Sequence, residues 1–129
     1  MKLTKDHGLL IARVCLALVF IWFGIGKFQD DVWAETMRGM PMMQHMQPAV
    51  SDTLVYIVGA TEIIIGVFLA AGLFLRTTAV IAALELFFIF FVLKVYEVRD
   101  LGLIGALILL AIEGNGIYGI QMLRRQKGQ

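Results

Sequence analysis

Charged side chains lie within or at the borders of long apolar stretches of this sequence, and they are the residues best placed to do chemistry. A charge inside such a stretch is costly to bury, so it usually faces other helices and has a partner. Two interpretations fit this pattern. The residues form a salt-bridge network that fixes the register of the helices, or they line a polar pocket for a quinone head group or a proton path. They are Arg13, Lys27, Glu62, Glu85, Asp100 and Glu113.

A methionine cluster is the second feature that could do chemistry, because five of the seven methionines fall within residues 37–46. Thioether sulfur is a soft ligand that selects Cu(I), and imidazole is a common metal ligand beside it. The cluster is therefore a candidate copper site. The alternative is an adaptable apolar segment on the membrane surface, a role that suits methionine. The candidate ligands are Met37, Met40, Met42, Met43, His45 and Met46.

The composition argues against several other kinds of site. Cys15 is the single cysteine, which excludes an internal disulfide and any Cys-x-x-Cys motif. His7 and His45 are the only histidines, and their predicted places on opposite sides of the membrane argue against a bis-histidine haem. A net charge of +1 leaves no broad basic face for nucleic acid. We therefore expect no intrinsic cofactor, so any redox chemistry would need a partner that holds one.

Membrane-spanning helices are the elements that must position these residues. The 129 residues are 60% hydrophobic and 16% charged, whereas a soluble domain has about 45–50% apolar and about 25% charged residues. A spanning helix needs about 20 mostly apolar residues. The sequence predicts four spans, at about residues 8–27, 54–75, 77–94 and 101–123.

The short connections between the later spans predict antiparallel neighbours, so we expect a single all-α domain that forms a membrane four-helix bundle. The long outer loop, residues 28–53, can form a short helix over residues 32–37. The first apolar run is too long for a signal peptide and lacks its cleavage site, which favours a retained span. Six lysines and arginines on the inner side against four on the outer side predict cytoplasmic N- and C-termini.

Helical spacing and depth predict which charges meet. Small residues share helical faces with several of the charges, which is typical of close helix contacts in membranes. At about 1.5 Å per residue, Arg13 lies at a depth where it can meet Glu85 or Glu113, or Glu62 if its side chain reaches toward the outer side. Lys27 and Asp100 lie at the outer edge, where they can pair. Because the buried acids outnumber the buried arginine, we expect one carboxyl that can hold a proton.

An ordered set of short segments resembles DoxX-type membrane proteins over essentially the whole chain. Residues 23–28, which follow Arg13 and read Phe-Gly-Ile-Gly-Lys-Phe, resemble the family's opening segment. The stretch from Glu62 to Arg76 is similar to its second segment. Residues 100–107 and 113–116 are similar to its closing segment. The resemblance implies a four-helix membrane protein that is associated with quinone-linked oxidoreductases.

The resulting hypothesis is a small inner-membrane protein that serves as an accessory subunit of a quinone-linked redox system. Its expected partners are the lipid bilayer and either a redox partner protein or further copies of itself, and its expected ligand is a quinone. One alternative is a non-enzymatic membrane module that assembles or anchors a partner protein. Another is a copper-handling membrane protein that uses the methionine cluster.

Overall fold

The computed structural model of the chain describes residues 4–29, 31–41, 43–92 and 98–114, and within these ranges all regular structure is helical. The side chains of Met37 and Val92 fall outside this description. The all-α prediction is confirmed. The helices, in chain order, are α1 (Lys5–Gln29), α2 (Val32–Arg38), α3 (Pro48–Ala71), α4 (Leu75–Phe87), a π-helical segment (Phe88–Val92) that continues α4, and α5 (Val98–Glu113).

Within the described residues, α1 and α3 are long and apolar enough to cross a membrane. Helix α3 begins at Pro48, well before the predicted start at residue 54. Proline lacks a backbone N–H and has a fixed φ, so it suits the first turn of a helix. The predicted short helix in the outer loop is present as α2. The ends of the predicted third and fourth spans, residues 93–94 and 115–123, lie outside the described residues.

Helices α1 and α3 pack closely through small residues, and this contact positions the buried charges. A Cβ built on Gly24 would lie 2.7 Å from the carbonyl oxygen of Gly59, and one built on Gly66 would lie 2.9 Å from that of Ala17. Only small residues permit such a close approach of two backbones. Glu62 lies between the two α3 glycines on the same helical face, so it is directed toward α1.

A tight turn between α3 and α4 makes these helices antiparallel neighbours. Gly72 has a φ of 66°, and its N–H bonds to the carbonyl of Leu69 while that of Leu73 bonds to Phe68. This left-handed conformation is favourable for glycine because glycine lacks a Cβ. The chain then enters α4 after only residues 72–74, as the short predicted connection required.

The outer surface of the described helices is rich in large apolar side chains. Trp22 is 78% exposed, Leu84 63% and Ile112 68%. Monomeric soluble proteins rarely expose wide apolar surfaces, and such surfaces mark contact with lipid or another protein. The interior is also apolar, with a core that includes Leu69, Leu107 and the alanines of α4. An exposed apolar surface of this extent suits contact with lipid.

Candidate functional site

A buried ion pair joins α1 and α3. Nζ of Lys27 donates to Oε2 of Glu62 over 2.6 Å, and the two side chains are only 8% and 5% exposed. The indole ring of Trp33 covers the pair, with its centroid 4.5 Å from the Lys27 ammonium. Lys27 occupies the last turn of α1, where a cation is also stabilised by the carbonyl ends of the helix.

The ion pair lies in the wall of a cavity of about 810 Å³, a volume that includes its open mouth. Helices α1 to α5 and the π-helical segment all contribute to the lining, which is mostly apolar. Among the described residues, the charged members of the lining are Lys27, Glu62, Arg99 and Asp100. Small-molecule sites are typically lined mainly by apolar side chains, with a few polar groups that orient the ligand. The cavity has this character.

Helix α2 forms one side of the cavity and is fastened to α3 by an ion pair. Trp33 lines the cavity and packs edge-on against Phe23 of α1, with ring centroids 6.3 Å apart. Arg38, at the end of α2, donates from two nitrogens to the Asp52 carboxylate over 2.6–3.0 Å. The bidentate contact fixes the orientation of α2 because the guanidinium and carboxylate planes must match.

Helix α5 brings a second pair of opposite charges to the cavity. Asp100 is 5% exposed. Nε of the neighbouring Arg99 lies 3.4 Å from Oδ1 of Asp100, and its guanidinium lies over the Phe23 ring at 4.2 Å. The π-helical segment contributes Ile89 to the same cavity. Such short π-helical turns often occur at functional sites.

The structure brings three of the six predicted charged residues, Lys27, Glu62 and Asp100, to the cavity. The predicted partner of Lys27 is wrong, since Lys27 bonds to Glu62 while Asp100 contacts Arg99. The closeness of α1 to α3 at the paired glycines explains this difference. It brings Glu62 within reach of the last turn of α1.

The other three charged residues lie away from the cavity lining. Arg13 is buried on α1, with 4% of its surface exposed. The acids predicted to meet it have other partners: Glu85 is hydrogen-bonded to Thr61 over 2.6 Å, Glu113 forms an ion pair with Lys5, and Glu62 bonds to Lys27. The depth estimate ignored how each helix is rotated about its axis, and that rotation decides which side chains meet.

The methionine cluster divides between buried and exposed positions. Met40 lines the cavity and packs against Val55, and Met43 is 7% exposed. Met46 and His45 are exposed. The side chains of Met37 and Met42 lie outside the described residues. Within the described part of the cluster, Met40 thus contributes to the same cavity as the ion pair.

Sequence reasoning missed the aromatic and cationic residues that complete the cavity. Phe23 precedes Lys27 by four residues, so helical spacing alone placed them on one face. Trp33 and Arg99 carried no comparable signal, because each belongs to a helix whose position against α1 is set by tertiary contacts. Thr61, the partner of Glu85, was also missed.

Comparison with known proteins identifies the family. The DoxX family model matches residues 8–95. The chain is also 31% identical to the inner membrane protein YqjF of Escherichia coli (strain K12) over 136 aligned positions, which cover 98% of this chain and 99% of that protein. No solved structure matches significantly. The match to the family model and the nearly full-length relative establish that this chain belongs to the DoxX family of membrane proteins.

Proposed function

We propose that the cavity between the helices binds the head group of a quinone or quinol, and that the protein is an accessory subunit of a quinone-linked redox system. The observation that carries the proposal is the buried Lys27–Glu62 pair in the wall of an apolar cavity. The Lys27 ammonium can donate to a quinone carbonyl, and the Glu62 carboxylate can accept from a quinol hydroxyl. The rings of Phe23 and Trp33 offer faces and edges to the ligand ring.

The balance of charge among the described lining residues favours a neutral ligand. Lys27 and Arg99 are balanced by Glu62 and Asp100, and both pairs lie within salt-bridge distance. An anionic or cationic ligand would add an uncompensated charge to a mostly apolar space, which is costly. Quinones and quinols are neutral and largely apolar, with two polar oxygens. Their chemistry matches a lining in which few polar groups face an apolar volume.

The proposed role is accessory because the sequence lacks the residues for a cofactor of its own. One cysteine and two distant histidines are too few for an iron–sulfur cluster or a bis-histidine haem. Electron transfer to or from the bound quinone would therefore occur in a redox partner protein. In this role the DoxX-family chain holds the quinone next to that partner within the bilayer.

The proposal includes a membrane topology. The chain would cross the inner membrane four times as a single domain. The four spans would be α1, α3, α4 with its π-helical continuation, and the stretch that begins with α5. Both termini would be cytoplasmic, as the lysine and arginine distribution predicts. The apolar exposed surface supports this arrangement, as does the relative named an inner membrane protein. The cavity would then lie in the outer half of the bilayer, beneath α2.

The two tryptophans of the chain allow a sharp test. Trp33 lies in the cavity, whereas Trp22 is 78% exposed on α1. A Trp22→Phe variant reports on the cavity alone, and a Trp33→Phe variant reports on the lipid-facing surface. Purified protein in detergent is titrated with a short-chain ubiquinone analogue, and the tryptophan fluorescence is recorded. We expect saturable quenching when Trp33 is the reporter and linear, non-saturable quenching when Trp22 is the reporter.

Replacement of the ion pair gives the matched control. In the Trp22→Phe background, Lys27→Leu combined with Glu62→Leu removes both polar groups and keeps apolar bulk, which is often neutral for folding. We expect this variant to lose saturable quenching. Lys5→Ala combined with Glu113→Ala removes an ion pair outside the cavity lining and away from α2, and quenching should remain saturable. Identical quenching of the Trp33 and Trp22 reporters would refute the quinone site.

A further inference from the structure

Glu85 and Thr61 make a contact between α4 and α3 whose hydrogen bonds can be counted. Oγ1 of Thr61 lies 2.6 Å from Oε1 of Glu85 and 2.8 Å from the carbonyl oxygen of Val58. A hydroxyl group has a single proton and can donate only one such bond, although it can also accept. A carbonyl oxygen and an ionised carboxylate only accept. With Glu85 ionised, therefore, one of these two short contacts would lack a proton.

A proton on Glu85 satisfies both contacts at once. Oε1–H of Glu85 then donates to Oγ1 of Thr61, and the Thr61 hydroxyl donates to the Val58 carbonyl. We infer that Glu85 carries a proton in the resting protein and is a proton-binding site on α4. This inference is independent of the proposed quinone site, because it depends only on the hydrogen bonds and charges around Glu85.

The second oxygen of Glu85 supports the same state. Oε2 is buried, and among the described residues it has no hydrogen-bond partner. A buried oxygen that shares a full negative charge is far more costly than the carbonyl oxygen of a neutral acid. In the protonated form, Oε1 has a hydrogen-bond partner in Thr61, and the oxygen left without one, Oε2, belongs to an uncharged group.

The surrounding helices provide no ion-pair partner for Glu85 among the described residues. Within the described residues no cation lies within salt-bridge distance of it, and the nearby ammonium of Lys27 on α1 is bound to Glu62. Glu62 follows Thr61 directly, so an ionised Glu85 would add a second negative charge to this region. The other acids on α3 and α5 have cationic partners: Asp52 with Arg38, Glu62 with Lys27, Asp100 with Arg99, and Glu113 with Lys5.

Glu85 can therefore gain or lose a proton without breaking an ion pair, unlike those other acids. The residue that follows it, Leu86, lines the cavity, as does Ile89 one turn later. The proton is thus held on α4, outside the cavity lining and without a bond to the Lys27–Glu62 pair.

Infrared spectroscopy of the full-length protein in detergent tests the inference. A protonated carboxyl has a C=O stretching band that is separate from the amide bands and shifts on transfer into D₂O. We expect this band at neutral pH in the unmodified protein and its loss in Glu85→Gln. The matched control Glu113→Gln removes an acid that is paired with Lys5, and the band should remain. Absence of the band from the unmodified protein, or its persistence in Glu85→Gln, would overturn the inference.

Two substitutions of Thr61 test the hydrogen-bond arrangement, and they serve even if Glu85→Gln fails to fold. Thr61→Val keeps the shape of the side chain but removes the acceptor for the Glu85 proton, so the band should move to higher frequency. Thr61→Ser keeps the hydroxyl and should leave the band in place. Indistinguishable spectra for the valine and serine variants would also overturn the inference.

Discussion

Removal of one partner of the buried Lys27–Glu62 pair should destabilise the protein strongly, whereas removal of both should not. At 2.6 Å, two unit charges attract by about 6 kcal/mol at an effective dielectric constant of about 20. Withdrawing each ion from water costs several kcal/mol. The intact pair is therefore close to neutral relative to an apolar pair, but a single remaining charge keeps its cost without its compensation.

We expect Lys27→Leu and Glu62→Leu each to lower the free energy of unfolding by about 3–5 kcal/mol. The double variant should return to the parent value or exceed it. Unfolding is followed by helical circular dichroism during titration of the detergent-solubilised protein with SDS. The strongly non-additive result follows from the 8% and 5% exposure of the two side chains, which leaves little water to solvate an orphaned charge.

The Arg38–Asp52 pair provides the control for this experiment. Its side chains are 44% and 32% exposed, and exposed ion pairs contribute about 0–1 kcal/mol. Arg38→Ala should therefore cost less than about 1 kcal/mol in the same titration. The reasoning is refuted if both Leu single variants fall in this small range, or if their losses add in the double variant.

Three further predictions concern helix packing, topology and copper. Gly24→Ala should lower the free energy of unfolding by about 1–3 kcal/mol, because the added Cβ would lie 2.7 Å from a backbone oxygen. The control Gly105→Ala places its Cβ in open space and should stabilise the protein slightly. Equal effects of the two substitutions in SDS titration would contradict the packing argument. In a Cys15→Ser background, His45→Cys should react with an impermeant thiol reagent on intact cells, and reaction only after lysis would reverse the topology. For the copper hypothesis, the positions changed together to leucine are Met40, Met42, Met43 and Met46. This variant should fold normally but lose Cu(I) binding in a competition titration. Equal Cu(I) binding by the parent protein and the variant would exclude the copper site.

The sequence by itself predicted the all-helical fold class, the antiparallel neighbours and the presence of a charge in a close helix contact. Apolar runs of membrane length can bury their backbone polar groups only by forming internal hydrogen bonds, so their fold class follows directly from composition. The short connection predicted at residue 76 required antiparallel neighbours, and the structure joins α3 and α4 through residues 72–74. On α3, the small residues that share a helical face with a charge are Gly59 and Gly66, on either side of Glu62. This spacing predicted that a charge would lie in a close helix contact, which the structure contains.

Only the tertiary structure decided which charges meet and where a cavity forms. Periodicity gives the position of Lys27 around its own helix but not the rotation of α1 against α3 or α5. Depth along the helices therefore favoured Asp100 as its partner, whereas the structure pairs it with Glu62. The start of α3 at Pro48 also changed the depths from which pairs were estimated. Trp33 reaches the ion pair because α2 folds back onto α1 and is fastened through Arg38. A contact between residues distant in sequence depends on the relative rotation and translation of whole helices, which packing of all their side chains determines together.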